Sequence, residues 1–272
     1  MKRAEFIQLF GVEKPIIGMV HLRPLPGSPQ YDGDLTEVLE TAAKEARILE
    51  EGGVDGIQIE NMWDLPYLKP KNIGPETVAS LTVAAFRIAQ MVKVPIGINC
   101  HLNGAIQSLA IALATSAKWV RVFEWTNSYI SNAGLIEAAA PWAQRYRSFI
   151  GAKNVRVFAD VQVKHGSHFI ISDRSIQEQA HDLELCGADA IIVTGTKTGS
   201  HPEIDTLKKL YKTMDLPILI GSGLTTENAK ELLEMADGAI VGSYFKREGN
   251  WKNELDMERV KRFMEIAKKK TL

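Results

Sequence analysis

The chain carries eight apolar, β-branched segments separated by stretches with helical periodicity, and this alternation restricts its fold more than any other feature. The segments are PIIGMVHL (Pro15 to Leu22), VDGIQIEN (Val54 to Asn61), VPIGINC (Val94 to Cys100) and WVRVFE (Trp119 to Glu124). VRVFADVQV (Val155 to Val163), ADAIIVTG (Ala188 to Gly195), PILIGSG (Pro217 to Gly223) and DGAIVGS (Asp237 to Ser243) follow. Several are almost continuously hydrophobic, as strands covered on both faces have to be. Spread over eight units, 272 residues allow about 34 per strand–helix repeat, the scale of a closed barrel. The fold expected is α/β, one (β/α)8 TIM barrel over residues 1–272 with a parallel eight-stranded core and a C-terminal closing helix. An open doubly wound sheet is the competing arrangement, but no GxGxxG turn follows the first strand.

Local grammar agrees with the alternation. Asp34 and Glu37 have capping-box spacing, after which Leu35, Val38, Leu39, Ala42, Ala46 and Leu49 line one helical face, and Gly52 and Gly53 end it. The junction that follows, GG-VDG, returns as CG-ADA (Cys186 to Ala190) and ADG (Ala236 to Gly238), one helix-to-strand turn used repeatedly. In the tail, WKNELDMERVKRFMEIAKKK, Leu255, Val260, Phe263 and Ile266 face inward and lysines close the helix.

Composition excludes some partners. With 32 basic and 33 acidic residues, the net charge of −1 gives no electrostatic reason to bind nucleic acid or an anionic membrane. The run AIQSLAIALATSA (Ala105 to Ala117) is too short to cross a bilayer and reads as a buried helix, so no membrane insertion is expected. The N-terminal MKRAEFIQLFGVEKP has no apolar run of signal-peptide length, and the expected location is cytoplasmic. Cys100 and Cys186 lack CxxC spacing and read as small buried side chains in a reducing compartment.

In such a barrel the chemistry sits where strands end and loops begin, and polar residues crowd those ends. Asp160, Gln162 and Lys164 alternate at period two, so all three are expected to face the lumen. Lys164 would orient a substrate oxygen, or form an imine if desolvation lowers its pKa; Asp160 would act as base or metal ligand. A paired structural charge network is the competing reading of Asp160 and Lys164. His21, at the first strand exit, is the best-placed histidine for acid–base work, with Glu60 and Glu124 in support. Asn61, Asn99, His101, Gln162 and His165 are candidate substrate contacts, whereas His181 reads as surface and His201 as a cap or turn. A ring of Glu60, Asn99, Glu124 and Asp160 would offer hard oxygen ligands, suited to Mg²⁺ over Zn²⁺, although no ligand spacing is diagnostic.

The most specific local signal lies near the C-terminus. Gly221-Ser222-Gly223 leaves the seventh segment, Leu224 and Thr225 look like the staple and N-cap of a helix, and Gly242-Ser243 leaves the eighth. Glycines let the backbone approach an anion, and barrels often bind phosphate between these two loops. Ser222, Gly223, Gly242 and Ser243, helped by Gly195 and Thr196, are therefore expected to hold phosphate; tight turns alone would also explain the glycines. The loop aromatics Trp63, Tyr67, Trp125 and Tyr129 read as exposed, suiting a lid or a homo-oligomer interface equally.

Several strings together are distinctive: GMVHLRPLPGSP (Gly18 to Pro29), DGIQIENMWDLPY (Asp55 to Tyr67), GINCHLNG (Gly97 to Gly104), ADVQVKHG (Ala159 to Gly166), VTGTKTG (Val193 to Gly199) and GSGLTTEN (Gly221 to Asn228). Through them the chain resembles, over nearly its whole length, the BtpA family, named for a factor in photosystem I biogenesis. The resemblance implies a TIM barrel and brings in the phosphate-binding barrel superfamily, which includes isomerases and lyases of phosphorylated sugars. The expectation is a metabolic enzyme acting on a phosphorylated small molecule, a sugar phosphate or nucleotide-like compound, by isomerase- or lyase-type proton or carbonyl chemistry. A non-enzymatic assembly or stability factor, and a Mg²⁺-assisted phosphate-ester hydrolase, are the alternatives.

Overall fold

The computed structural model describes residues 1–269. Helix α1 (Arg3–Phe10) precedes strand β1 (Ile16–His21), α2 (Leu35–Glu51), β2 (Gly56–Glu60), α3 (Pro75–Ala89), β3 (Ile96–Asn99), α4 (Ala105–Thr115) and β4 (Trp119–Val122). A short hairpin of β5 (Ser128–Ser131) and β6 (Gly134–Glu137) follows, then α5 (Ala140–Phe149), β7 (Arg156–Asp160), α6 (Ile176–Leu185) and β8 (Ala190–Val193). The chain continues through α7 (Ile204–Thr213), β9 (Ile218–Ile220), α8 (Ala229–Leu233), β10 (Gly238–Val241) and α9 (Met257–Ala267). Eight parallel strands close in the order β1-β10-β9-β8-β7-β4-β3-β2, so each of the eight apolar segments forms one barrel stave.

Side chains of alternate parity fill the two sides of the barrel wall. The outward set packs against the helices in one large core. The inward set forms a second cluster, Ile17, Met19, Trp119, Phe158, Ala190, Ile192, Leu219 and Ile240. Trp119 stacks on Phe158 with centroids 5.5 Å apart, and its Nε1 donates to Gln58 Oε1 at 2.6 Å. Gly97 makes room for it, since a Cβ there would lie 2.1 Å from the indole.

The repeated junction has a purpose beyond turning the chain. The aspartates it carries each accept a hydrogen bond from the backbone N–H of a neighbouring strand: Asp55 from Ile16 (2.9 Å), Asp189 from Val157 (2.9 Å) and Asp237 from Ile218 (2.8 Å). Each aspartate's own N–H donates back to the carbonyl of the same residue. Three cross-strand clamps therefore hold the strand starts, opposite to the end where loops gather.

Several expectations are corrected. The N-terminal residues, given no role above, form α1, whose Phe6 and Phe10 sit one turn apart and close the bottom of the barrel. The segment after β4, which holds the loop aromatic Tyr129, folds as the β5–β6 hairpin. The fifth segment leaves the sheet at Asp160, earlier than its hydrophobicity implied, so the alternation does not continue through Gln162. Trp125 and Tyr129 are buried, and Cys186 is exposed while Cys100 is buried. Thr225 is not a helix N-cap, because α8 starts only at Ala229, after Asn228. The closing helix is present with Val260 and Phe263 buried and Asp256 capping it; Lys270 of the terminal lysine run lies outside the described residues. No helix of the described residues is long and apolar enough to cross a membrane.

Phe6 is fully buried between Phe10 and Phe158, at 5.0 and 5.9 Å between centroids. Phe6→Ala should lower unfolding free energy by about 3 kcal/mol, measured by urea denaturation; a loss below about 1 kcal/mol would show that α1 is not part of the barrel core.

Candidate active site

A cavity of about 740 Å³ opens at the carboxyl ends of the strands. Its floor carries one buried ion pair: Arg121 of β4 donates Nε and Nη2 to the two carboxylate oxygens of Asp160 on the adjacent β7, both at 2.9 Å. Arg121 lines the cavity and Asp160 does not.

Above the floor, strand register assembles a polar cluster. Glu60, the last residue of β2, lies beside His21 of β1 and Asn99 of β3. Asn99 Nδ2 donates to Glu60 Oε2 at 3.1 Å. His21 Nε2 and His101 Nε2 each stand 3.4 Å from a Glu60 oxygen, within ion-pair reach but long for a hydrogen bond. Among the described residues, His21 Nδ1 and both ring nitrogens of His101 are buried and have no hydrogen-bond partner. Burial works to raise the Glu60 pKa, but His101 and His21 outweigh it and hold the carboxylate well below its ordinary range. Asn61 braces this corner: its Oδ1 accepts from the His101 N–H (2.7 Å) and its Nδ2 donates to Asp64 (2.8 Å).

Lys164 enters the cavity from the loop after β7. Burial, then the Arg121 guanidinium, lower its pKa to about 8, against the pull of Glu60 and Asp160. Gln162 turns away to the helix layer, where Nε2 donates to Gln179 at 3.0 Å, so the expected lumen triad reduces to Asp160 and Lys164. Parity at β4 directs Phe123 to the cavity, whereas Glu124 is not among its lining residues. Asn103 fixes the Glu124 backbone through two hydrogen bonds, of 2.8 and 3.1 Å. Burial, with the nearby Asp160, pushes the Glu124 carboxyl up to about 9. The oxygen ring proposed for Mg²⁺ is thus not gathered: Asp160 is paired with Arg121, Glu60 with Asn99, and Glu124 stands apart. Among the described residues no group of three or more His, Cys, Asp or Glu side chains is placed to hold a metal ion.

The opposite wall is built from backbone. Gly221, Ser222, Gly223, Gly242 and Ser243 line the cavity. Gly223 adopts φ +79°, and a Cβ there would lie 2.1 Å from His201 N, so only glycine fits beneath the 197–201 segment. Ser222 Oγ donates to Ser200 O at 3.0 Å. Gly195 and Thr196 lie outside the lining; Gly195 packs under Ser200, and Lys197, Thr198 and Gly199 face the space instead. His165 also reaches it and is tied to Thr198 Oγ1 at 2.8 Å. A Cβ on Gly242 would lie 3.3 Å from His21 Cε1, which sets this wall directly against the polar cluster. Ser243 and Tyr244 open a 3-10 turn, so their N–H groups have no acceptor within it.

Arg121 was missed in the sequence, although a signal existed: a lone arginine inside a strand buried on both faces requires a buried carboxylate on a neighbour. Phe123 was missed because nothing separates a cavity aromatic from a core one without the parity of its strand end. Of the other histidines, His181 is on the surface beside Glu184, and His201 Nδ1 bonds Pro202 O.

A family model described as the BtpA family matches residues 12–269. An uncharacterized protein of Archaeoglobus fulgidus is 42% identical over 257 residues, covering 94% of this chain and 100% of the relative. The photosystem I biogenesis protein BtpA of Synechocystis is 38% identical over 263 residues, covering 96% of this chain and 90% of that protein. Among solved structures, (S)-3-O-geranylgeranylglyceryl phosphate synthase from Thermoplasma acidophilum, in complex with substrate sn-glycerol-1-phosphate, has a TM-score of 0.62 at 17% identity, with 97% of each chain covered. That likeness is one of fold.

The Glu124 carboxyl gives a stability signature. Unfolded, it ionises near pH 4.3; folded, it keeps its proton to about 9, so between these values the folded state binds more protons and stability falls as pH rises. Glu124→Gln mimics the neutral form. Its stability relative to the unsubstituted chain should grow by roughly 1 kcal/mol per pH unit between pH 5 and pH 8, and a pH-independent difference in urea denaturation would contradict the assignment.

Proposed function

The chain belongs to the BtpA family, and we propose that it is an enzyme transferring protons on a phosphorylated small molecule, in an isomerase- or lyase-type reaction at the carboxyl end of the barrel. One observation carries the reading: His21, its Nε2 3.4 Å from the Glu60 carboxylate, stands against the glycine wall at Gly242. An anion held by that wall brings the carbon chain it esterifies to the imidazole.

In this reading the phosphate sits against Ser222, Gly223, Gly242 and Ser243, with the N–H groups opening the 3-10 turn and the Lys197 ammonium as donors. Gly195 and Thr196 shape the loop from behind. His21 removes a proton beside a carbonyl, and Glu60 stabilises the imidazolium that forms. His101, on the other side of the same carboxylate, helps keep Glu60 ionised behind His21. Lys164, with its pKa near 8, holds the carbonyl oxygen as ammonium or, as free amine, condenses with the carbonyl to an imine, the carbonyl oxygen leaving as water. Arg121 with Asp160 acts on Lys164 and the cavity floor through charge, while Glu124, holding its proton, supports the same region as a neutral group. The Thermoplasma synthase, bound to sn-glycerol-1-phosphate, supports a phosphorylated ligand on a barrel of this shape.

The name of the Synechocystis relative favours a second reading, an assembly role without catalysis. The two readings separate on Lys164 and His21, which an assembly factor does not need.

Incubating the protein in D₂O with phosphorylated aldoses, ketoses and nucleotides, and following carbon-bound deuterium by NMR, tests the proposal. One class should exchange, with Lys164→Met and His21→Asn each slowing exchange by about 10²- to 10⁴-fold. Exchange unaffected by both substitutions, or equally fast with dephosphorylated compounds, would refute it.

A further inference from the structure

The proposed reading assigns one wall of the cavity to phosphate; the facing wall has a different chemistry. There Tyr67 packs on His101 with centroids 4.6 Å apart, and Phe123 meets the same imidazole edge-on at 4.9 Å. Leu102, Phe123, Tyr129 and Val163 form, with Ile136, an apolar cluster separate from both barrel cores. Its members come from loops and from the β5–β6 hairpin, segments that ordinarily present polar residues to solvent. The Tyr67 hydroxyl already donates to Met62 O at 2.7 Å. A chain of sugar hydroxyls laid here would exchange water for apolar contacts and lose its hydrogen bonds.

Size points the same way. At about 740 Å³ the cavity lies in the range that encloses ligands of drug size, and a phosphorylated three- to five-carbon chain would leave most of it unfilled. His101 belongs to this wall through its ring carbons: both ring nitrogens are buried, Nε2 on the Glu60 side at 3.4 Å, so the surface turned to the cavity is flat and apolar. Tyr67, Phe123 and Tyr129 supply aromatic rings to this wall, against which a planar ring packs with more contact than a flexible chain.

We propose that the phosphorylated substrate carries a planar aromatic ring, as a nucleotide does, seated on Tyr67, Leu102, Phe123 and Tyr129. This rests on the phosphate reading above and narrows it from sugar phosphates in general to nucleotide-like compounds.

Isothermal titration calorimetry on the full chain with AMP, UMP, ribose 5-phosphate and adenosine tests it. AMP or UMP should bind at least tenfold more tightly than ribose 5-phosphate and than adenosine. Phe123→Leu keeps apolar volume while removing the ring, and Tyr67→Leu alters a half-buried position at the rim. Each should weaken nucleotide binding by about tenfold and leave ribose 5-phosphate unchanged. Ribose 5-phosphate binding as tightly as the nucleotides would overturn this inference and leave the phosphate reading standing. Adenosine binding as tightly as AMP would overturn the phosphate reading, and the inference with it. Failure of both nucleotides to bind would overturn the inference; failure of ribose 5-phosphate as well would remove the phosphate reading too.

Discussion

The bidentate pair between Arg121 and Asp160 divides the barrel into two regions, and the properties of each depend on it. Below lie Trp119, Phe158, Ile17 and the α1 phenylalanines, packed against one another. Above lies the cavity. Two charges at this depth cost more in desolvation than hydrophobic replacements of similar volume would, while removing either one leaves an uncompensated buried charge. The pair is therefore poor evidence for stability as such and good evidence that the interior needs charge at this level. Its field is already at work on its surroundings: Arg121 helps drive Lys164 toward its neutral form, and Asp160 helps keep Glu124 protonated.

The two ends of the barrel divide the labour. At the strand starts, Asp55, Asp189 and Asp237 each clamp a neighbouring backbone N–H and meet a cation, Lys268, Arg156 and Arg3 respectively. These groups satisfy one another locally, as residues serving only the fold should. At the strand ends glycines replace side chains and Lys164 and Lys197 line the cavity, leaving volume and donors for something other than protein.

How much of this was legible follows from the distance over which each feature is encoded. The eight staves were readable because continuous apolar runs need cover on both faces, a local demand written in local residues. The repeated V-D-G and A-D-G junctions were visible too, but their aspartates act across strands, so their purpose appears only with register. The same holds for His21, Glu60 and Asn99, which are side by side because three strands end level. Gln162 shows the limit of period two: alternation foretells a face only while the strand lasts, and β7 ends two residues earlier. Phe6 and Phe10 had the right spacing for a buried helical stripe, yet eight residues are too few to announce a helix until a barrel mouth is there to receive them.

The unpartnered nitrogens bear on why this arrangement persists. Each buried polar atom without a hydrogen bond costs about 1–3 kcal/mol, and His21 and His101 together present three of them beside the cavity. The imidazoles offset part of that cost, because together they hold the buried Glu60 carboxylate well below its ordinary range, and an apolar residue at either position would leave this charge less compensated. The cost is therefore the counterpart of keeping an ionised carboxylate at the strand ends, beside the glycine wall. The clamps at the opposite end have a role in the same account: they satisfy their own groups and hold the strand starts, so that the strand ends can carry a charge the fold alone does not require.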